Sequence, residues 1–390
     1  MRYDFDTLID RKGTNSVKYD LSGKLFGSED VLPMWVADMD FPVAGFILEA
    51  IEERLKHPFL GYTFRSAGFS ESVTSWLERR HNWRVSTHAI GFSPGIVPAL
   101  NMAVMEFTEP GDRVVVQPPV YFPFFSAISN HGRELLYNQL VKKKEHYEMD
   151  LDHLEGLFRE GAKLFFLCNP HNPVGRAWTK EELEQLAALC LKYKVMVISD
   201  EIHSDLLLFG NRHIPFASLG DDIADHTLTC MAPSKTFNLA GLYTSVVIAT
   251  NPGIKKRYEK ILDVVHVGGD NILGQVALEA AYTDGDEWLD QLLVYLEKNY
   301  KSFCSFLNDA VPELLISPLE ATYLAWLDFS FLGLDDQTLK NFIIHNAGLG
   351  LNDGPMFGPG GSQHQRLNIA CPENILMEGA GRLAEAIRKA

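Results

Sequence analysis

Lys163-Leu-Phe-Phe-Leu-Cys168 and Val195-Met-Val-Ile-Ser-Asp200, joined through a helical run at Glu181–Tyr193, decide the fold. Leu164–Cys168 and Val195–Ile198 within them are apolar throughout. That is the pattern of parallel strands covered by helices on both faces, not the alternation of a strand with one wet side. Upstream the same alternation of short apolar runs and helical runs passes through Ile90–Ser93, Val97–Phe107, Arg113–Gln117, Tyr121–Asn130, Glu134–Gln139 and Leu151–Arg159. Downstream it continues at Thr227–Met231 and Tyr243–Thr250. Strands and helices alternating in this way predict an open α/β sheet with its functional groups at the C-terminal ends of the strands.

Outside this region the texture differs. Residues 1–44 carry few regular signals and end in Pro33-Met-Trp-Val-Ala-Asp-Met-Asp-Phe-Pro42, a loop-like arm with aromatic anchors. Helical periodicity follows at Phe46–Lys56 and around Ser70–Arg80, separated by the breaker Gly61-Tyr62-Thr63. After Asn251 the pattern is helical to about Ala310. A smaller α+β segment then has a strand at Thr322–Phe329, a helix at Gln337–Ala347, a Gly/Pro-rich loop at 348–362, a strand at Arg366–Ala370 and a final helix. The expected organisation is an arm and part of the small domain at 1–44, a large α/β domain at 45–285, and a small C-terminal domain at 286–390.

Composition narrows the function. With 35 basic and 51 acidic residues among 390, the formal net charge is −16. This argues against nucleic-acid or anionic-membrane partners, whose phosphates demand the opposite sign. Five cysteines are scattered without Cys-x-x-Cys spacing, so neither a zinc site nor a disulfide framework is indicated, and free thiols in a reducing cytoplasm are expected. No apolar leader opens the chain and no window is long and apolar enough for a membrane span.

Four features fall at strand ends. Ser93-Pro-Gly-Ile-Val-Pro98 is a strand, a glycine turn and a helix start, whose free N–H groups and helix dipole suit a phosphate. Asn169-Pro-His-Asn-Pro-Val-Gly-Arg176 is an irregular loop able to present an amide. Asp200-Glu-Ile-His203 places an acid at the end of a buried strand, where it is costly without a partner such as a protonated ring nitrogen. Met231-Ala-Pro-Ser-Lys-Thr-Phe-Asn-Leu-Ala-Gly241 holds Lys235 in a turn after a strand, placed to form a Schiff base with an aldehyde. Phosphate site, amide, carboxylate and lysine, in this order, suggest pyridoxal phosphate: the phosphate anchors, the carboxylate keeps the pyridine nitrogen protonated, and the lysine forms the imine.

The order and spacing resemble the fold-type I pyridoxal-phosphate enzymes, aminotransferase class I/II, over nearly the whole chain. Within them the chain looks most like the cystathionine β-lyase-like C–S lyases (the MalY/PatB type). Beside the four stretches above, Trp35-Val-Ala-Asp-Met-Asp-Phe41 and Arg366-Leu-Asn-Ile369 carry this likeness. It implies the pyridoxal-phosphate-dependent transferase fold, with a mostly parallel sheet of the seven-stranded type. By the same likeness Lys235 is the Schiff-base lysine and the base at Cα, Asp200 pairs with the pyridinium, Asn172 bonds the phenolic oxygen, and Tyr121 stacks on the ring. The backbone at Gly95, Ile96 and Val97 and the Ser234 hydroxyl hold the phosphate, joined by Tyr62 from a neighbouring subunit, so a homodimer is implied. Arg366 clamps the substrate carboxylate, and Ala37 approaches it through its backbone. His203 stands where many transaminases have tyrosine, and Tyr243 where many have a phosphate-binding arginine. Both departures fit the lyase subgroup.

The implied reaction is α,β-elimination from L-cystathionine or another L-cysteine S-conjugate to a thiol, pyruvate and ammonia. Amino-acid transamination draws on the same residues and is the alternative. A pyridoxal-phosphate-binding regulator is the third reading, and it lacks support here because such regulators usually add a basic DNA-binding domain.

Overall fold

The computed structural model describes residues 3–269 and 271–389. Its centre is a seven-stranded sheet of β1 (Ile90–Ser93), β2 (Arg113–Val116), β3 (Glu134–Tyr137), β4 (Leu164–Cys168), β5 (Met196–Asp200), β6 (Thr227–Met231) and β7 (Ser245–Ile248) in the order β1-β7-β6-β5-β4-β2-β3. Only β7 runs antiparallel to its neighbours. The expectation of a mostly parallel seven-stranded sheet therefore holds.

Side chains explain why these runs pair in the interior. Val114, Val116, Phe166, Ile198 and Leu228 point to one face and pack with the helices Ile96–Phe107 and Pro252–Val264. Val115, Phe165, Leu167 and Val197 point to the other face, against Leu151–Arg159 and Lys180–Tyr193. Period-two alternation thus feeds two dry layers instead of one dry and one wet. Helix Lys180–Tyr193 is bounded by its own chemistry. Thr179 and Glu182 form a reciprocal capping box at its start, and Lys194 adopts a left-handed conformation (φ 55°) at its end.

A second, antiparallel sheet of Leu315–Ile316, Leu324–Asp328, His364–Asn368 and Asn352–Asp353 lies in the C-terminal part. Leu32–Pro33 pairs in parallel with Leu349–Gly350, so the two ends of the chain build one body, as expected of the small lobe. Three local readings change. The arm contains two short helices, Val17–Asp20 and Ser22–Phe26. The strand expected at Arg366–Ala370 sits at His364–Asn368, because His364 and Gln365 are buried in the sheet despite their polarity. The 348–362 loop includes two two-residue strands and the turn Gly354–Phe357. Among the described residues no helix is long and apolar enough to cross a membrane.

Candidate active site

The C-terminal ends of β2, β4, β5 and β6 share one edge of the sheet, and β1 ends there too, since Ser93 faces Ser245 at the start of the antiparallel β7. The turn after β1 forms the first feature at this edge. Gly95 caps helix Ile96–Phe107 with no side-chain cap, and a Cβ there would stand 3.3 Å from Pro98 Cδ. The first intrahelical bond is Ala99 N–H to the Gly95 carbonyl, which leaves the Ile96 and Val97 N–H groups ahead of it. This is an uncapped helix start fit for an anion.

Lys235 occupies the short helix Pro233–Thr236 after β6. Its Nζ donates to the Ala37 carbonyl oxygen at 2.6 Å, and the buried Tyr323 hydroxyl donates to the same oxygen at 2.9 Å. Burial, with the nearby Arg366 charge, lowers the amine to about 8, while Asp38 and Asp200 pull the other way. A good fraction of neutral amine is therefore available near physiological pH.

Asp200 ends β5 with its side chain buried. Burial raises it to about 7 against the Ile202 N–H, which its Oδ1 accepts at 3.2 Å, and Lys235 lowers it only weakly. No cation forms an ion pair with it among the described residues. A buried carboxylate in that state suits a protonated ring nitrogen arriving with a ligand. His203, three residues on, is buried with Nδ1 lacking a partner among the described residues, and its ring meets that of Tyr323 at 6.2 Å. Burial, then Lys235 and Arg366, hold it well below its ordinary value, so it is neutral.

Asn172 lies in a loop whose two Asn–Pro bonds, Asn169–Pro170 and Asn172–Pro173, are cis. The loop turns at Gly175, where φ is +72° and a Cβ would come within 2.8 Å of Leu319 Cδ1. The Asn172 amide oxygen accepts Arg366 Nη1 at 2.9 Å, so the donor side of the amide is what a ligand would meet. Arg366 is fully buried among neutral partners. Its Nη2 donates to the Trp35 carbonyl and to Asn352 Oδ1 at 3.1 and 2.5 Å, its Nε has no partner among the described residues, and its guanidinium lies over the Phe357 ring at 4.9 Å. Burial lowers it to about 10, which leaves it cationic. A buried guanidinium with a free N–H and no carboxylate partner has the chemistry to receive one.

The sequence-predicted groups divide in their placement. Lys235, Asp200, His203, Asn172, Arg366 and Ala37 converge, and Tyr121, with burial raising it to about 12, lies near enough to Asp200 and Arg366 to feel both charges. From the arm, the Ala37 carbonyl meets Lys235, and Trp35 supplies the carbonyl to Arg366. Ser234 is half-buried beside Lys235. Tyr62 is fully exposed and Tyr243 is exposed at φ +46°. Sequence reasoning missed Tyr323, Asn238, Asn352 and Asn368. Asn368 Nδ2 donates to the Val36 and Asp38 carbonyls, and Asn238 binds both Met39 and Phe41, so the arm is gripped on either side of Ala37. Asn238 carries a signal in its own residue type, since asparagine tolerates its φ of +60°.

These residues fit pyridoxal phosphate: an anion cradle, a buried acid, an amide donor and an amine of lowered basicity lie along one edge of the sheet. The family model for aminotransferase class I and II matches residues 30–383. The chain belongs to that family. It is 46% identical over 384 residues to the cystathionine beta-lyase PatB of Bacillus subtilis, covering 98% of this chain and 99% of the relative. Among solved structures, cystalysin from Treponema denticola, which contains pyridoxal 5′-phosphate, superposes with a TM-score of 0.97 at 38% identity over the whole of both chains. The pyridoxal-phosphate-bound C–S lyase from Staphylococcus hominis, in complex with L-cycloserine, does so with a TM-score of 0.92 at 34% identity over 99% of each chain. The fold is that of the pyridoxal-phosphate-dependent transferases, and its cofactor is pyridoxal 5′-phosphate.

Proposed function

We propose that this chain is a pyridoxal-phosphate-dependent C–S β-lyase that takes L-cystathionine or another L-cysteine S-conjugate, with one water, to a thiol, pyruvate and ammonia. The observation that carries the reading is that Arg366, a buried cation without a carboxylate, and Lys235, a part-buried amine lowered to about 8, stand close enough for the one charge to act on the other. An α-amino acid brings the matching carboxylate and the matching Cα proton.

When bound, the cofactor supplies an electron-withdrawing ring joined to the substrate nitrogen. Arg366 fixes the α-carboxylate and thereby turns the Cα–H bond towards Lys235. Lys235, neutral in part near pH 8, takes the Cα proton at Nζ. With that electron pair released, the Cβ–S bond breaks and the sulfur leaves as a thiolate. Asp200 would pair with the ring nitrogen, the Asn172 amide would donate to the phenolic oxygen, Tyr121 would cover one ring face, and the N–H groups at 95–97 with the Ser234 hydroxyl would hold the phosphate. His203 adds bulk and no charge at the acid end of the site.

The same reading assigns residues 1–44 to the arm, 45–285 to a large domain and 286–390 to a small one. It places the chain in the cytoplasm, where its five unpaired cysteines stay reduced. It also makes a homodimer the active form. Phe59, Leu60, Tyr62 and Phe64 are all exposed, a contiguous aromatic and apolar run of a kind that marks an interface. Tyr62 would reach the neighbouring subunit's phosphate.

Purified protein incubated with L-cystathionine should release pyruvate with no keto acid added, and Lys235→Ala should release none. Loss of the amino group only when a keto acid acceptor is present would establish transamination instead. Light scattering should give twice the chain mass of 43.8 kDa, and a monomer with full activity would remove the Tyr62 assignment.

A further inference from the structure

Behind the lysine-bearing turn lies a buried polar cluster used by none of the groups above. Its hub is Asp205, whose side chain is 2% exposed. Oδ1 accepts Trp76 Nε1 at 2.9 Å and faces His81 Nε2 at 2.8 Å, and Oδ2 accepts the Thr236 hydroxyl at 2.8 Å. Thr236 is the residue after Lys235 and is fully buried. Phe237, the next one, is wedged against Trp76 and Trp288 with ring centroids at 5.7 and 5.4 Å.

Asp205 stands on the segment that also carries Asp200 and His203. Three local bonds stiffen it: Ile202 N–H to Asp200 Oδ1, Ser204 N–H to the Glu201 carbonyl, and Leu206 N–H to the His203 carbonyl. Glu201 anchors it further, accepting the Ser199 hydroxyl, the Phe216 N–H and His213 Nε2 at 2.7, 2.9 and 2.7 Å. One rigid stretch therefore bears the site's carboxylate at one end and, at the other, the acceptor that grips the lysine turn from the neighbouring strand.

Apolar packing would hold this place at least as stably as a buried carboxylate with three donors, so the cluster's worth lies in fixing geometry. We propose that Asp205, acting through the Thr236 hydroxyl, is a positioning residue that sets the Lys235 amine in register with Asp200. The proposal rests on Lys235 being the residue that captures the cofactor and works at Cα.

The test compares wild type with Thr236→Val, Thr236→Ser and Asp205→Asn by two readouts. One is the rate at which cofactor-stripped protein captures pyridoxal phosphate on Lys235, quenched by borohydride and read by peptide mass. The other is kcat and KM for pyruvate release from L-cystathionine by the holoenzyme. Thr236→Val should slow capture and lower kcat on the order of 10- to 100-fold with KM within about twofold, the cost of a misplaced reacting group. Thr236→Ser, which keeps the hydroxyl, should restore both to within about threefold of wild type, and Asp205→Asn should fall between, since its amide satisfies the donors only in part.

Wild-type capture and kcat in Thr236→Val would overturn the proposal, as would a serine variant as slow as the valine one, which would make methyl packing the cause. Should Thr236→Val not fold, unchanged capture by Asp205→Asn overturns it equally. A wild type that captures cofactor but releases no pyruvate defeats the lyase reading alone, and capture still decides the positioning.

Discussion

Lys235 and Tyr323 share one acceptor: both donate to the Ala37 carbonyl oxygen, at 2.6 and 2.9 Å. The lysine comes from the large sheet, the tyrosine from the loop before a small-sheet strand, and the carbonyl from the arm. Tyr323→Phe removes one of the two donors while keeping the ring against His203. It should cost about 1 kcal/mol, a fall of roughly 1–3 °C in the thermal midpoint of cofactor-free protein. An unchanged melting curve would mean that the hydroxyl does not hold the arm.

Lys235 reacts with an aldehyde only as the neutral amine. Because burial lowers it to about 8, capture of pyridoxal phosphate by cofactor-free protein should speed up with rising pH and level off above about 8. A surface lysine would keep gaining to above pH 10. Stopped-flow absorbance between pH 6 and 10 reads the midpoint directly, and a midpoint above 10 contradicts the assigned burial.

Asp200 gives a stability prediction of opposite sign to the usual acid. Its folded value is raised to about 7 from an ordinary 3.8, so the folded state holds the proton more tightly than the unfolded state. Stability contributed by the protonated form is full below about 4 and is lost as pH rises towards 7. Asp200→Asn should therefore stabilise cofactor-free protein at pH 8, by about 1–3 kcal/mol, and have little effect at pH 4. Urea midpoints at the two pH values test this, and equal shifts would show that the carboxylate is not desolvated. In the holoenzyme the same change should cripple turnover, since the ring nitrogen loses its counter-charge.

Arg366→Lys keeps the charge but loses the planar fork and its contacts with Asn172, Asn352 and Trp35. Losing a charge-assisted contact of about 1.5–3 kcal/mol should raise KM for L-cystathionine by roughly 10- to 150-fold. Steady-state kinetics decide, and an unchanged KM would move the carboxylate site elsewhere.

Much of the fold is legible because buried parallel strands advertise themselves: Leu164–Cys168 and Met196–Asp200 have no polar residue to interrupt them before their functional ends. The hairpin Val141–Lys143 and His146–Glu148 escapes that reading, since its run of lysines and glutamates leaves no apolar stretch and looks like a loop. The strand at His364–Asn368 is displaced in the reading for the converse reason: His364 is buried against Trp326, their rings stacked 5.0 Å apart. Lys235, Asp200 and Arg366 are legible from motif and order. Tyr323, Asn368 and Asp205 are not, because what makes them matter is a hydrogen bond to a residue far along the chain, and no local pattern records such a partner.

Leu32–Pro33 lies beside Leu349–Gly350, and the Trp35 carbonyl meets Arg366. The first and last tenths of the chain therefore complete one site, and the arm must wait through the synthesis of more than three hundred residues before its seat exists. A growing chain on the ribosome can close the large sheet but cannot yet bring Arg366 against Trp35.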